Sequence, residues 1–135
     1  MGDDLIKHHS KIISPLKVPV SSKKSFILNL NNYRNAHYQI LNKAKVNYKA
    51  IISEQLLSLG RFGKIKIAYK LFPATRRRTD IGNVIAIHKK FFEDALTEFG
   101  VIKDDSYEYV ISSSEDFGGV SPGNGRVEIF IQGIE

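Results

Sequence analysis

The chain has 135 residues, no cysteine, and 20 basic against 14 acidic residues, a formal charge of +6. That length with 42% apolar residues suits one domain with one core, and the absence of cysteine excludes disulfides, thiolate metal sites and thiol nucleophiles. No apolar run approaches the roughly 20 residues that span a bilayer, and the start MGDDLIKHHS lacks a signal-peptide core, so a cytoplasmic protein with no membrane partner is expected. Residues 1–23 mix charges, two prolines and the pair His8-His9 without a sustained period. They predict a flexible N-terminal arm with a short extended piece over Leu16–Val20. His8-His9 has no further ligand at a metal-binding spacing and reads as exposed tail.

Residues 24–135 carry the domain. Ser25–Leu30 alternates in part and predicts a first strand, ended by Asn31-Asn32. From Asn35 to Leu59 apolar residues recur at helical spacing, with Gly60 as the stop; Arg34, His37, Lys43, Lys45 and Lys49 on or beside this helix could line a phosphate-binding surface or a solvated face. Lys64–Leu71 alternates strictly and predicts a strand with one buried face, its lysines turned to solvent or DNA. A second helix is expected over Asp80–Phe99, and two strands over Tyr107–Ser113 and Val127–Ile131 flank the glycine-rich loop Gly118–Gly125. The expectation is a single α+β domain of β-α-β-α-β-β order, with two helices packed on a mixed sheet. The glycines do not form a phosphate loop, because no Gly-Lys-Ser/Thr ends them and a strand follows.

The chemistry concentrates in Arg76-Arg77-Arg78-Thr79-Asp80-Ile81-Gly82-Asn83, the helix behind it, and Lys103-Asp104-Asp105. At about 100° per residue, Asp80, Asn83, Lys90 and Asp94 share one sector while Val84, His88, Phe91, Phe92, Ala95 and Phe99 point the other way. Lys89 and Glu93 fall on a third side and read as solvated. Carboxylates packed together repel unless a divalent cation neutralises them. Magnesium, with manganese as the alternative, prefers such hard oxygen ligands and shares its remaining positions with phosphate oxygens. Asp80, Asp94, Asp104 and Asp105 are therefore the candidate metal ligands. Arg76, Arg77 and Arg78, with Arg34, Lys43 and Lys45, are the candidate DNA contacts.

At these residues the sequence resembles the RusA-like Holliday-junction resolvases. That family carries an arginine run before Asp-x-Asp-Asn, a lysine four residues before Asp-Ala-Leu, a turn ending in Asp-Asp, and a closing strand that begins Gly-Arg-x-Glu. The counterparts are Arg76-Arg77-Arg78, Asp80-Ile81-Gly82-Asn83, Lys90 before Asp94-Ala95-Leu96, Lys103-Asp104-Asp105, and Gly125-Arg126-Val127-Glu128. The likeness covers Arg76–Ile131, and upstream only a strand-helix-strand pattern matches. It implies a magnesium-dependent endodeoxyribonuclease of DNA recombination and repair that cuts four-way junctions as a homodimer, with Asp80, Asp105 and Lys90 catalytic. The departure is Gly82, which stands where the family has its second motif aspartate. Either Asp94 or Asp104 replaces that ligand, or the chain binds DNA without cutting. The rival readings are a non-catalytic recombination accessory protein, a structural domain whose acidic loop is only a solvated turn, and a metal nuclease acting on flaps or forks.

Overall fold

The computed structural model describes residues 9–134. Its elements are β1 (His9–Pro15), β2 (Lys17–Pro19), β3 (Ser25–Ile27), helix α1 (Leu30–Asn35), helix α2 (Tyr38–Leu57), β4 (Lys64–Phe72), helix α3 (Ile81–Glu98), β5 (Val110–Phe117) and β6 (Arg126–Ile134). The chain is a single α+β domain. Its main sheet runs β1-β6-β4-β5, with β1/β6 and β6/β4 antiparallel and β4/β5 parallel. A parallel pair needs a crossover, which α3 supplies. The ribbon β2-β3 stands apart as a second, two-stranded sheet.

One face of the main sheet is core. Ile65, Ile67, Tyr69 and Leu71 of β4, Val127, Ile129 and Ile131 of β6, and Ile12 of β1 point inward. They meet Ala44, Tyr48, Ile52 and Leu56, a four-residue ridge on α2, and Ile85, Phe91, Phe92, Ala95 and Leu96 of α3. The α3 residues foreseen as apolar behave so: His88, Phe91, Phe92 and Ala95 are buried, and Val84 and Phe99 pack at the margin. Gly100, at φ 73°, ends α3 through a bond from Val101 N to Leu96 O of 2.9 Å.

Four differences from the expected elements have physical causes. Residues 9–15 are not part of an arm: β1 pairs with β6 along its whole length. Its inward positions are Ile12 and Ser14, and the buried serine, which bonds Tyr48 Oη at 2.6 Å and His88 Nδ1 at 2.7 Å, breaks the apolar alternation that marks a strand. The free edge of β1 is covered as well, because the Gln55 amide of α2 accepts from Ile13 N at 2.8 Å and donates to Ile13 O at 2.9 Å. Secondly, a third helix, α1, precedes the long one. Asn29 caps it by accepting from Asn32 N at 2.7 Å, and His37 caps α2 by accepting from Gln39 N at 3.2 Å. Thirdly, β5 begins three residues later than expected and runs to Phe117. Tyr109 N and Val110 N bond back to Ser106 O and turn the chain first, and a bare polar edge strand carries no apolar signal. Fourthly, Glu93 is buried rather than solvated, receiving a bond from the Tyr69 hydroxyl at 2.8 Å.

Candidate nucleic-acid and metal site

The segment from Pro73 to Asp80 joins the C-terminal end of β4 to the start of α3, the end of a parallel β-α-β unit where ligands commonly bind. Its root is fixed by the glycine-rich loop. Gly118 N bonds Leu71 O at 2.8 Å, Ser121 N bonds Pro73 O at 2.8 Å, and Gly125 lies so close to Ala74 that a Cβ there would meet its nitrogen at 3.0 Å. Arg126 locks this loop, donating to Ser121 Oγ, Asn124 O and Glu128 Oε2 while its guanidinium lies 4.4 Å from the Phe72 ring centroid. The Gly125-Arg126-Val127-Glu128 run is thus scaffold.

From that root Arg76, Arg77 and Arg78 project exposed. Thr75 Oγ1 accepts from Arg77 N and Thr79 Oγ1 donates to Arg77 O, so the loop holds its own turn. Two clefts share the loop. One of about 470 Å³ runs from all three arginines and Asp80 to Phe117 and Val120. The other, about 390 Å³, runs from Arg77, Arg78 and Asp80 to Asn29 and Asn83. Asp80 forms a wall of both and caps α3, its Oδ1 accepting from Asn83 N at 3.2 Å.

The four expected metal ligands do not meet. Asp94 faces α2, where Lys49 Nζ lies 2.8 Å from Asp94 Oδ2 and 2.7 Å from Glu98 Oε1. Burial works to lower the Lys49 pKa, but the bonds and charges of these two carboxylates outweigh it and the net shift is upward. Asp104 and Asp105 are exposed in the turn after α3, and Asp105 is near enough to Glu93 for its charge to add to the burial that pushes the Glu93 carboxyl up. Glu93 is twelve residues beyond Ile81, about 18 Å along a helix axis, so Asp105 stands well away from Asp80. Among the described residues no three histidine, aspartate or glutamate side chains are grouped to hold a metal ion.

A carboxylate the sequence did not single out does approach Asp80. A Cβ on Gly82 would lie 3.5 Å from Asp80 Oδ1 and 3.9 Å from Glu115 Oε1. Glu115 is opposite Tyr69 in the β4/β5 register and so points to the α3 side of the sheet. Gly82, Lys89 and Glu93 fall on one stripe of α3, and that stripe faces β5: Lys89 Nζ donates to Ser113 Oγ at 2.8 Å, two residues before Glu115. Of the polar stripe expected to include Asp80, the residues Asn83, Lys90 and Asp94 turn the other way, toward α1 and α2. Lys90 Nζ sits 5.6 Å over the Tyr33 ring, with Lys45 Nζ 6.0 Å from the same ring. Arg34 and Lys43 are exposed on the helices that carry them. The available signal for Glu115 was the β-α-β order itself, since a parallel β5 brings its C-terminal Glu115-Asp116 beside the end of β4.

Two carboxylates from different elements and an open polar rim suit a hard cation that keeps several waters. No helix in the described residues is long and apolar enough to cross a membrane. No protein-family model matches this chain, and no curated protein matches it.

Proposed function

We propose that the chain is a metal-dependent endodeoxyribonuclease acting on branched DNA, a four-way junction first among the substrates, and that it works as a homodimer in the cytoplasm. The observation that carries this reading is the position of Asp80: it walls the cleft of Arg76, Arg77 and Arg78, and its Oδ1 lies, like Glu115 Oε1, within 4 Å of where a Cβ on Gly82 would stand. Asp80 and Glu115 are the residues that would hold magnesium or manganese, with Glu115 taking the place of the aspartate missing at Gly82. The bound cation would supply an activated water and neutralise charge on a phosphodiester. The arginines hold strand phosphates through charge-assisted bonds. Lys89 lies on the β5 side of α3, next to Ser113, whereas Lys90 lies over Tyr33 on the other side, so Lys89 is the lysine this reading favours for offsetting phosphate charge. Two symmetric cuts follow from a closed dimer with two identical sites.

The test is incubation of a synthetic four-way junction, a linear duplex and a flap, each with and without magnesium or manganese. Metal-dependent cutting of the junction, lost in Glu115→Gln and kept in Asp94→Asn, supports the reading; preferential cutting of the flap keeps the nuclease and changes the substrate. A second reading, junction binding without cleavage, is favoured by the distance of Asp94 and Asp105 from Asp80. Tight binding with no cleavage under either metal would establish it.

A further inference from the structure

The face of the main sheet turned away from the helices is uncovered among the described residues, and its composition is unusual for a solvated face. Strand alternation brings Lys11, Lys64, Lys66, Lys70 and Arg126 to it, with Glu128 and Asp116 as the carboxylates. Glu128 is taken by Arg126 at 2.9 Å and Lys11 at 3.8 Å. Among the described residues no ion pair engages Lys64, Lys66 or Lys70. At the centre the register sets Ala68 between Phe130 and Ser114, and Lys66 between Gln132 and Ser112. The small alanine leaves a hollow of about 240 Å³, walled by Phe130, with Lys66, Ser112, Ser114 and Gln132 at its rim. Lys70 Nζ lies 5.8 Å from the Phe130 centroid, so a cation already reaches one face of that ring.

We propose that this sheet face is a second nucleic-acid surface, binding single-stranded DNA with an unpaired base stacked on Phe130 in the hollow and the flanking phosphates on Lys66 and Lys70. A flat ring beside a shallow, polar-rimmed depression fits a nucleobase, whose edge finds hydroxyl and amide partners at Ser112, Ser114 and Gln132. Stacking of a base on an aromatic ring outweighs an exposed cation–π contact, so the base displaces the Lys70 ammonium from the ring and frees it for a phosphate. Charge argues against a second copy as the occupant. A two-fold interface through this face would bring together two copies of a patch with five basic and two acidic side chains, a net like-charge apposition. The surface is distinct from the arginine clefts, and its existence does not depend on whether the chain cuts DNA.

The experiment is fluorescence anisotropy with a fluorescein-labelled oligo(dT) 12-mer and an abasic chain of the same length, across a salt series. The wild-type chain should bind oligo(dT) at least about tenfold more tightly than the abasic chain, the scale of one stacked base. Phe130→Leu, which keeps an apolar side chain in the sheet but removes the flat ring, should erase that ratio with its far-ultraviolet spectrum unchanged. Lys66→Gln with Lys70→Gln should lower the salt slope by about 1.4, at about 0.7 per single-strand phosphate contact, and Arg76, Arg77 and Arg78→Ala should leave the oligo(dT)-to-abasic ratio intact. An unchanged ratio in Phe130→Leu would overturn the proposal. So would conversion of a wild-type dimer to monomer by that substitution, which would give the face to a second copy.

Discussion

Asp80 serves the helix and the candidate site through the same side chain, and the two roles can be separated. Asparagine caps a helix about as well as aspartate, whereas alanine at such a position costs about 1 kcal/mol. Asp80→Asn should therefore leave the urea midpoint nearly unchanged and abolish metal-dependent cleavage, while Asp80→Ala should lower both. Asp94 gives the opposite expectation. Its carboxylate belongs to the Lys49–Glu98 group on the helical face away from Glu115, so Asp94→Asn should reduce the cleavage rate by under about tenfold, which is about 1.4 kcal/mol of barrier. A large loss of rate in Asp94→Asn, measured on the junction, would return that residue to the metal site.

Among the elements, the arginine loop depends on a neighbour distant in sequence. The glycine-rich loop bonds its root, and Gly118 lies against the Phe72 ring, where a Cβ would come within 2.4 Å of Cζ. The Arg126 guanidinium also packs on that ring, 4.4 Å from its centroid. Gly118→Ala should cost about 1–3 kcal/mol, the usual range for overpacking, and loosen the loop along with the fold; thermal unfolding and junction affinity should fall together. Replacing Arg76, Arg77 and Arg78 with alanine acts on the partner instead. The exposed arginines support no core, so the melting temperature should hold while the slope of log affinity against log salt falls by about 0.9 for each lost duplex phosphate contact. An unchanged slope would make them ordinary surface charges.

Across the whole molecule, β1, α2 and α3 are tied by one buried polar chain, Tyr48 to Ser14 to His88. Burial lowers the His88 pKa to about 3 from 6.5. The unfolded chain binds this proton below about 6.5 and the folded one does not, so its contribution is full above that pH. It is lost toward pH 3 at about 1.4 kcal/mol per unit. Glu93 works in the opposite sense. Its carboxyl is raised by burial, against the Tyr69 bond, so that group favours the fold at low pH and loses this effect as pH climbs through its folded value. Urea unfolding between pH 7 and 4 should show declining stability, and His88→Gln should flatten the decline. A slope unaltered in that variant would assign acid sensitivity to other groups.

The sequence by itself determined what depends on local pattern. The strict alternation of Lys64–Leu71 and the helical spacing of His88, Phe91, Phe92 and Ala95 have one physical solution each, a strand with one buried face and a helix with one apolar side. The α+β class and the position of the arginines at the start of α3 followed from them. Tertiary structure decided what depends on partners far along the chain. Ser14 looks like a break in a strand until Tyr48 and His88 satisfy it, and Glu93 looks solvated until Tyr69 meets it. The acidic site changed for the same reason: helical spacing grouped Asp80 with Asp94, but the crossover put β5 against the other stripe of α3, bringing Glu115 to Gly82 and giving Asp94 to Lys49. Periodicity fixes which residues share a face, and only the packing of elements fixes what that face meets.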